Sequence, residues 1–259
     1  MKSVNFSFAV GAVALAAATP AAFAQDVAGS TASQVLAIPQ GYAASAFQVP
    51  IGSGAGWGGI GVGLYGQTLD DDIFADDYDG SVGLNIGLGD PSKYVGLDVS
   101  ASFASLSDAD GSDDGLGEAG SVGLKLHTNL PGYASVAIGV QTIGRWGAVA
   151  DGGNESSVYA VASKYFALGG QGLVATLGMG DGAFHDEANG VGVFGALAYY
   201  PVTWFSVIGE YTGRFANLAV SVAPIQRWPV TLTAGAVNLG DRFDLGTQFA
   251  ASVGVGFSF

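Results

Sequence analysis

Over much of this chain, large apolar residues alternate with very small ones. Ile60-Gly61-Val62-Gly63-Leu64 shows the dyad, and it recurs in Val82-Gly83-Leu84-Asn85-Ile86-Gly87-Leu88 and across residues 95–103. A period of two is the repeat of a β-strand, whose successive side chains point to opposite faces. Alternation and turn residues together predict about twelve strands, near 57–67, 80–89, 93–105, 118–127, 133–143, 157–166, 171–180, 190–200, 203–212, 214–223, 229–238 and 247–259. Strand ends are the least defined part of such a pattern, so ten or fourteen strands also fit.

The positions between the large residues are mostly Gly, Ala, Ser and Thr, with few of the Lys and Glu that cover a water-facing sheet. That choice suits a transmembrane barrel, where lipid takes the large apolar side chains and a crowded lumen takes the small and polar ones. The fold class expected is therefore all-β, an antiparallel transmembrane β-barrel. Connections after the even-numbered strands are short, as in Gly89-Asp90-Pro91-Ser92 and Leu168-Gly169-Gly170, whereas most of the others (67–79, 106–117, 144–156, 180–189 and 238–246) are long and acidic. Short periplasmic turns and longer external loops are the usual asymmetry of such barrels. Trp57, Tyr94, Tyr133, Tyr165, Tyr200, Trp204 and Trp228 fall near the short-turn ends, and Tyr65, Tyr159 and Tyr211 near the others, as two interfacial aromatic girdles would require.

Composition narrows the class further. Of 259 residues 43 are Gly, 8 Lys or Arg and 22 Asp or Glu, for a net charge of -14, while 49% are apolar. A nucleic-acid binder would be basic and a disordered chain would be poor in apolar residues. With no Cys, disulfides, thiol catalysis and Cys metal sites are all excluded. Residues 1–24 read as a signal peptide, with Lys2, an apolar run over 8–19 and Ala22-Phe23-Ala24 before the cleavage point. Residues 25–56 are then an N-terminal segment, either a plug in the lumen or a periplasmic extension, and 57–259 are the barrel.

The final residues, Phe249-Ala250-Ala251-Ser252-Val253-Gly254-Val255-Gly256-Phe257-Ser258-Phe259, resemble the closing strand of Gram-negative outer-membrane β-barrels of porin-like type. The resemblance implies a bacterial outer-membrane location among lipid and lipopolysaccharide. It also implies recognition by the outer-membrane barrel assembly machinery, with Phe257 and Phe259 as the signal.

Chemistry is sparse. His127 is expected at the lumen mouth or interface, and His185 in a solvated loop beside Asp186 and Glu187. A protease built on His185 and Asp186 would need further acids converging across the mouth, and no local motif suggests a Ser-His hydrolase, so no catalytic residue is assigned. Six Asp lie in or beside the first long loop and five acids around the second. Such loops have the hard oxygen ligands for Ca²⁺ or Mg²⁺ bridging to lipopolysaccharide. However, Asp108-Ala109-Asp110-Gly111-Ser112-Asp113 lacks the Gly placement and closing Glu of an EF-hand, and a solvated, self-repelling loop is the simpler reading. Divalent cations are thus expected at most as loop partners, with no defined metal site, no cofactor and no nucleic acid.

Strand phase directs Asp98, Lys125, Gln141, Lys164, Glu210, Asn217 and Gln248 toward the lumen. Both signs occur there, so the wall by itself sets no strong ion preference. The function expected is a narrow passive channel for small solutes. The competing reading is a non-conducting structural or surface-interaction barrel, and an enzyme stands behind both.

Overall fold

In the computed structural model, the residues described are 34, 37–68, 78–103, 117, 119–147, 156–185 and 190–259. Residues 1–24, the acidic stretches 69–77 and 104–116, and the His185 neighbours Asp186 and Glu187 lie outside them. So do the cation-binding and signal-peptide expectations that concern those residues.

Twelve strands are present: β1 Gly59–Thr68, β2 Tyr78–Gly89, β3 Gly96–Phe103, β4 Gly120–Leu130, β5 Ala134–Trp146, β6 Ser157–Leu168, β7 Gln171–Gly180, β8 Gly192–Val202, β9 Phe205–Tyr211, β10 Ala216–Val222, β11 Val230–Val237 and β12 Gln248–Ser258. Each predicted segment holds one of them. All pair antiparallel with their sequence neighbours, and β1 closes the ring onto β12 in a register running from Gly59↔Ser258 to Gln67↔Ala250. Closure leaves no unpaired edge, which is what permits strands to cross a bilayer.

Burial follows the alternation. In β1, Tyr65 is buried while its neighbour Leu64 is exposed, and in β9 Ser206, Ile208 and Glu210 face inward. Outside lies a belt of exposed Leu84, Ile86, Leu126, Ile138, Leu177, Met179, Val193, Leu197, Leu218 and Phe249. An apolar surface encircling the whole molecule is untenable in water and matches the lipid-facing band of a transmembrane barrel. No described helix is long and apolar enough to cross a membrane.

The short turns after even-numbered strands gather at one end. In the β2–β3 turn, Asp90 accepts the N–H groups of Ser92 at 3.0 Å and Lys93 at 3.2 Å. The Lys93 ammonium 3.1 Å from its second oxygen holds the Asp90 carboxyl below the usual carboxylate range. Trp57, Tyr94, Tyr133, Trp204 and Trp228 are exposed at this end, as an interfacial girdle requires. Tyr200 departs from that expectation, as do Tyr65 and Tyr159 toward the opposite end. All three point into the barrel, because each occupies the inward phase of its strand.

Candidate functional site: the lumen

The inward wall is built largely from small hydroxyl residues, among them Ser81, Ser102, Ser163, Ser206, Ser221 and Thr233, all buried. Side chains this short cannot fill the bore of a twelve-stranded ring, which widens with strand number. The space they leave is taken by the chain ahead of β1. Residues 43–51 are buried inside the barrel, and two apolar clusters form around them. Phe47 packs with Tyr65, Ala198, Ile208 and Ala219, while Val49 and Ile51 pack with Tyr159, Val161, Phe184 and Phe194.

The path can be followed bond by bond. At the short-turn end, the Gln40 side chain donates to the Arg227 carbonyl and the Ala43 N–H donates to Thr203 O at 2.9 Å. The segment then runs alongside β9. Ser206 Oγ donates to Ala44 O at 2.7 Å, and four residues farther on in both chains Gln48 N–H donates to Glu210 Oε1 at 2.9 Å. Glu210 also accepts the Phe47 N–H at 2.9 Å. Successive backbone N–H groups converging on one carboxylate form an anion-binding nest, here around a wall residue. Asn217 Nδ2 bridges Glu210 Oε1 at 3.0 Å and Gln48 Oε1 at 2.8 Å, and Gln48 Nε2 donates to the Tyr65 hydroxyl at 2.6 Å.

The segment next crosses the lumen. Gly52 N–H donates to Ser163 Oγ at 2.9 Å, Lys125 Nζ to Ser53 O at 2.8 Å, and Ala55 N–H to Asp98 Oδ1 at 3.0 Å. Trp57 N–H reaches Gly89 O at 2.8 Å, which returns the chain to the short-turn end where β1 begins. Close approach explains the glycines here. A Cβ on Gly54 would run into the Asp98 carboxylate and the His127 ring, and one on Gly87 into Ala55 and Gly56.

Charge inside is arranged in two stations. Asp98 and Lys125 pair at 2.9 Å, with His127 Nε2 3.5 Å from the other Asp98 oxygen. Glu210 lies across the lumen on β9. Both His127 ring nitrogens and both side-chain polar atoms of Asn85 are buried without a hydrogen-bond partner. At the long-loop end a cavity of about 20 Å³ is lined by Gln48, Gln67, Phe215, Val237, Asn238, Leu245 and Gln248, which is room for about one water.

No protein-family model matches the chain, and no curated protein matches it. Among solved structures, the COG4313 outer membrane channel from Pseudomonas putida F1 is 14% identical with a TM-score of 0.46, covering 85% of this chain and 99% of that one. Outer membrane protein Omp33 of Acinetobacter baumannii is 11% identical with a TM-score of 0.43, covering 77% and 97%. Nothing about solute or mechanism transfers from them to this chain.

Of the residues assigned to the lumen from strand phase, Asp98, Lys125, Glu210, Asn217 and Gln248 are buried on the inner wall, and Gln141 is half-buried there with its Oε1 unpartnered. Lys164 is the exception. It faces outward with Val158, Ala160 and Ala162, its ammonium 5.3 Å from the centre of the Phe166 ring. The inward phase of β6 belongs to Tyr159, Val161 and Ser163. His127, expected at the mouth or interface, is enclosed beside Asp98. Phe257 and Phe259 are exposed on the last strand.

Two contributors escape a reading of the sequence. Phe184 comes from the β7–β8 loop, yet its ring turns into the mouth and stacks on Phe194 at 4.4 Å. Arg214 holds that loop by donating to His185 O at 2.8 Å and Gly182 O at 2.9 Å. The second is the way the backbone of residues 43–55 is held, since the sequence offers a plug in the lumen only as one of two alternatives for residues 25–56. Its only sequence signal is alternating Phe47, Val49 and Ile51 followed by the small run Gly52-Ser53-Gly54-Ala55-Gly56.

Proposed function

We propose that this protein is a bacterial outer-membrane barrel acting as a narrow passive channel for small solutes, with the segment ahead of β1 as a removable plug. One observation carries the reading: the wall leaves its bore unfilled, and a separate stretch of chain outside the strand ladder occupies it through polar and apolar contacts. Here the wall offers hydroxyls, amides and two charged stations, a lining suited to water and polar solutes.

The segment is not part of the barrel ladder, so its withdrawal breaks side-chain contacts but no strand pairing. Single-channel recording of the refolded mature chain, beside a chain lacking residues 34–56, tests this. The complete chain is expected to show small or infrequent conductance steps, and the shortened one large and steady ones. Background current from both, with both still running as heat-modifiable barrels on gels, rejects the channel in favour of a closed structural barrel.

A further inference from the structure

The wall holds the main chain of the segment at many points, beside the apolar clusters that take the side chains of Phe47, Val49 and Ile51. Ser221 accepts the Ala44 N–H at 3.0 Å, Ser206 donates to Ala44 O at 2.7 Å, and Tyr200 donates to Ala43 O at 3.1 Å. Glu210, Ser163 and Asp98 take backbone N–H groups, and Lys125 takes a carbonyl. These partners come from β3, β4, β6, β8, β9 and β10, so donors and acceptors for an extended backbone are distributed around the lumen.

Such contacts read peptide groups. Side-chain size is read in places: the wall around Gly52 and Gly54 leaves no space for a Cβ, whereas Phe47, Val49 and Ile51 are accommodated in apolar clusters.

We propose that the solutes this channel favours are short peptides, whose backbone amides engage the hydrogen-bonding groups that now hold residues 43–55. The proposal rests on the channel reading above and adds the chemical class of the permeant. A peptide entering the lumen exchanges with the protein's own segment, because both satisfy the same Ser, Tyr and carboxylate groups. Neutral sugars of equal mass meet the same bore, but they have no peptide groups for the wall to engage.

The test uses the full mature chain in proteoliposomes and compares uptake of N-acetyl-tetraalanine amide with that of maltose, both uncharged. Peptide is expected to enter about tenfold faster, the equivalent of roughly one to two net hydrogen bonds. In the double variant Ser206→Ala, Ser163→Ala, checked as a folded barrel by heat-modifiable mobility, that preference is expected to disappear. Equal entry of peptide and maltose into wild-type vesicles overturns the peptide assignment and leaves the channel standing. A preference that survives the double variant also overturns it, because the named hydroxyls then do not set it. Absence of peptide, maltose and ion flux together removes the channel reading and this proposal with it.

Discussion

Asp98 and Lys125 face one another in the β3–β4 register and meet inside the barrel at 2.9 Å, each buried. Removing one partner leaves the other charge enclosed without its main compensation. Lys125→Met is expected to lower stability by about 3–5 kcal/mol, whereas Lys125→Met combined with Asp98→Asn is expected to recover most of the loss. Urea titration followed by heat-modifiable gel mobility reads both. An unchanged midpoint for the single variant would falsify the compensation.

The two charged stations also set the sign of the open lumen. In the chain lacking residues 34–56, Glu210→Gln is expected to make the pore less cation-selective and Lys125→Met more so, since each changes the balance of wall charge. Reversal potentials across a KCl gradient give the answer, and shifts of the opposite sign refute the assignment.

Steric fit between segment and wall gives a route to opening without deletion. Gly54→Val places side-chain atoms where the Asp98 carboxylate and the His127 ring already are. Because Gly54 lies outside every strand, barrel pairing is expected to survive while the segment is displaced and conductance rises several-fold. A folded Gly54→Val barrel with wild-type conductance would show that the segment can shift without opening a path.

Orientation is checked from outside the cell. Gly240, in the β11–β12 connection, has open space around the position of a Cβ, and Ser92 sits in the short β2–β3 turn. Since the chain has no Cys of its own, Gly240→Cys is expected to react with a membrane-impermeant thiol reagent on intact cells, and Ser92→Cys only after lysis. The reverse pattern inverts the barrel.

Phe259 ends the strand that closes the ring, and it is exposed. Its deletion is expected to reduce the assembled barrel in outer-membrane fractions, judged by heat-modifiable mobility. Undiminished assembly argues against a terminal recognition signal.

The barrel was legible because dyad alternation is a local property that every strand carries, and the turn residues punctuate it. Inward and outward faces were harder to tell apart. In β6 the inner face (Tyr159, Val161, Ser163) and the outer face (Val158, Ala160, Ala162, Lys164) are similarly apolar, so hydropathy does not distinguish them. A charge suggests the lumen, but a long Lys near a strand end also reaches water from the lipid side. The occupant of the lumen was legible only as one of two alternatives, a plug or a periplasmic extension, for residues 25–56. Much of its recognition runs through backbone atoms, which every residue except Pro presents alike, and its Ala, Gly and Ser match the wall's own composition.

Lys164 carries one more consequence. It pairs with Ala134, the first residue of β5, and the next residue, Tyr165, donates its N–H to Tyr133 O in the β4–β5 turn at 3.0 Å. An ammonium facing outward must stay hydrated, so the waterline on this flank cannot lie far below that turn. Beyond it, β6 continues through Phe166 to Leu168, about 13 Å of further strand. The lower hem of the barrel is therefore uneven, and the β6–β7 hairpin hangs beneath the bilayer surface as a keel that fixes how deeply the molecule is immersed.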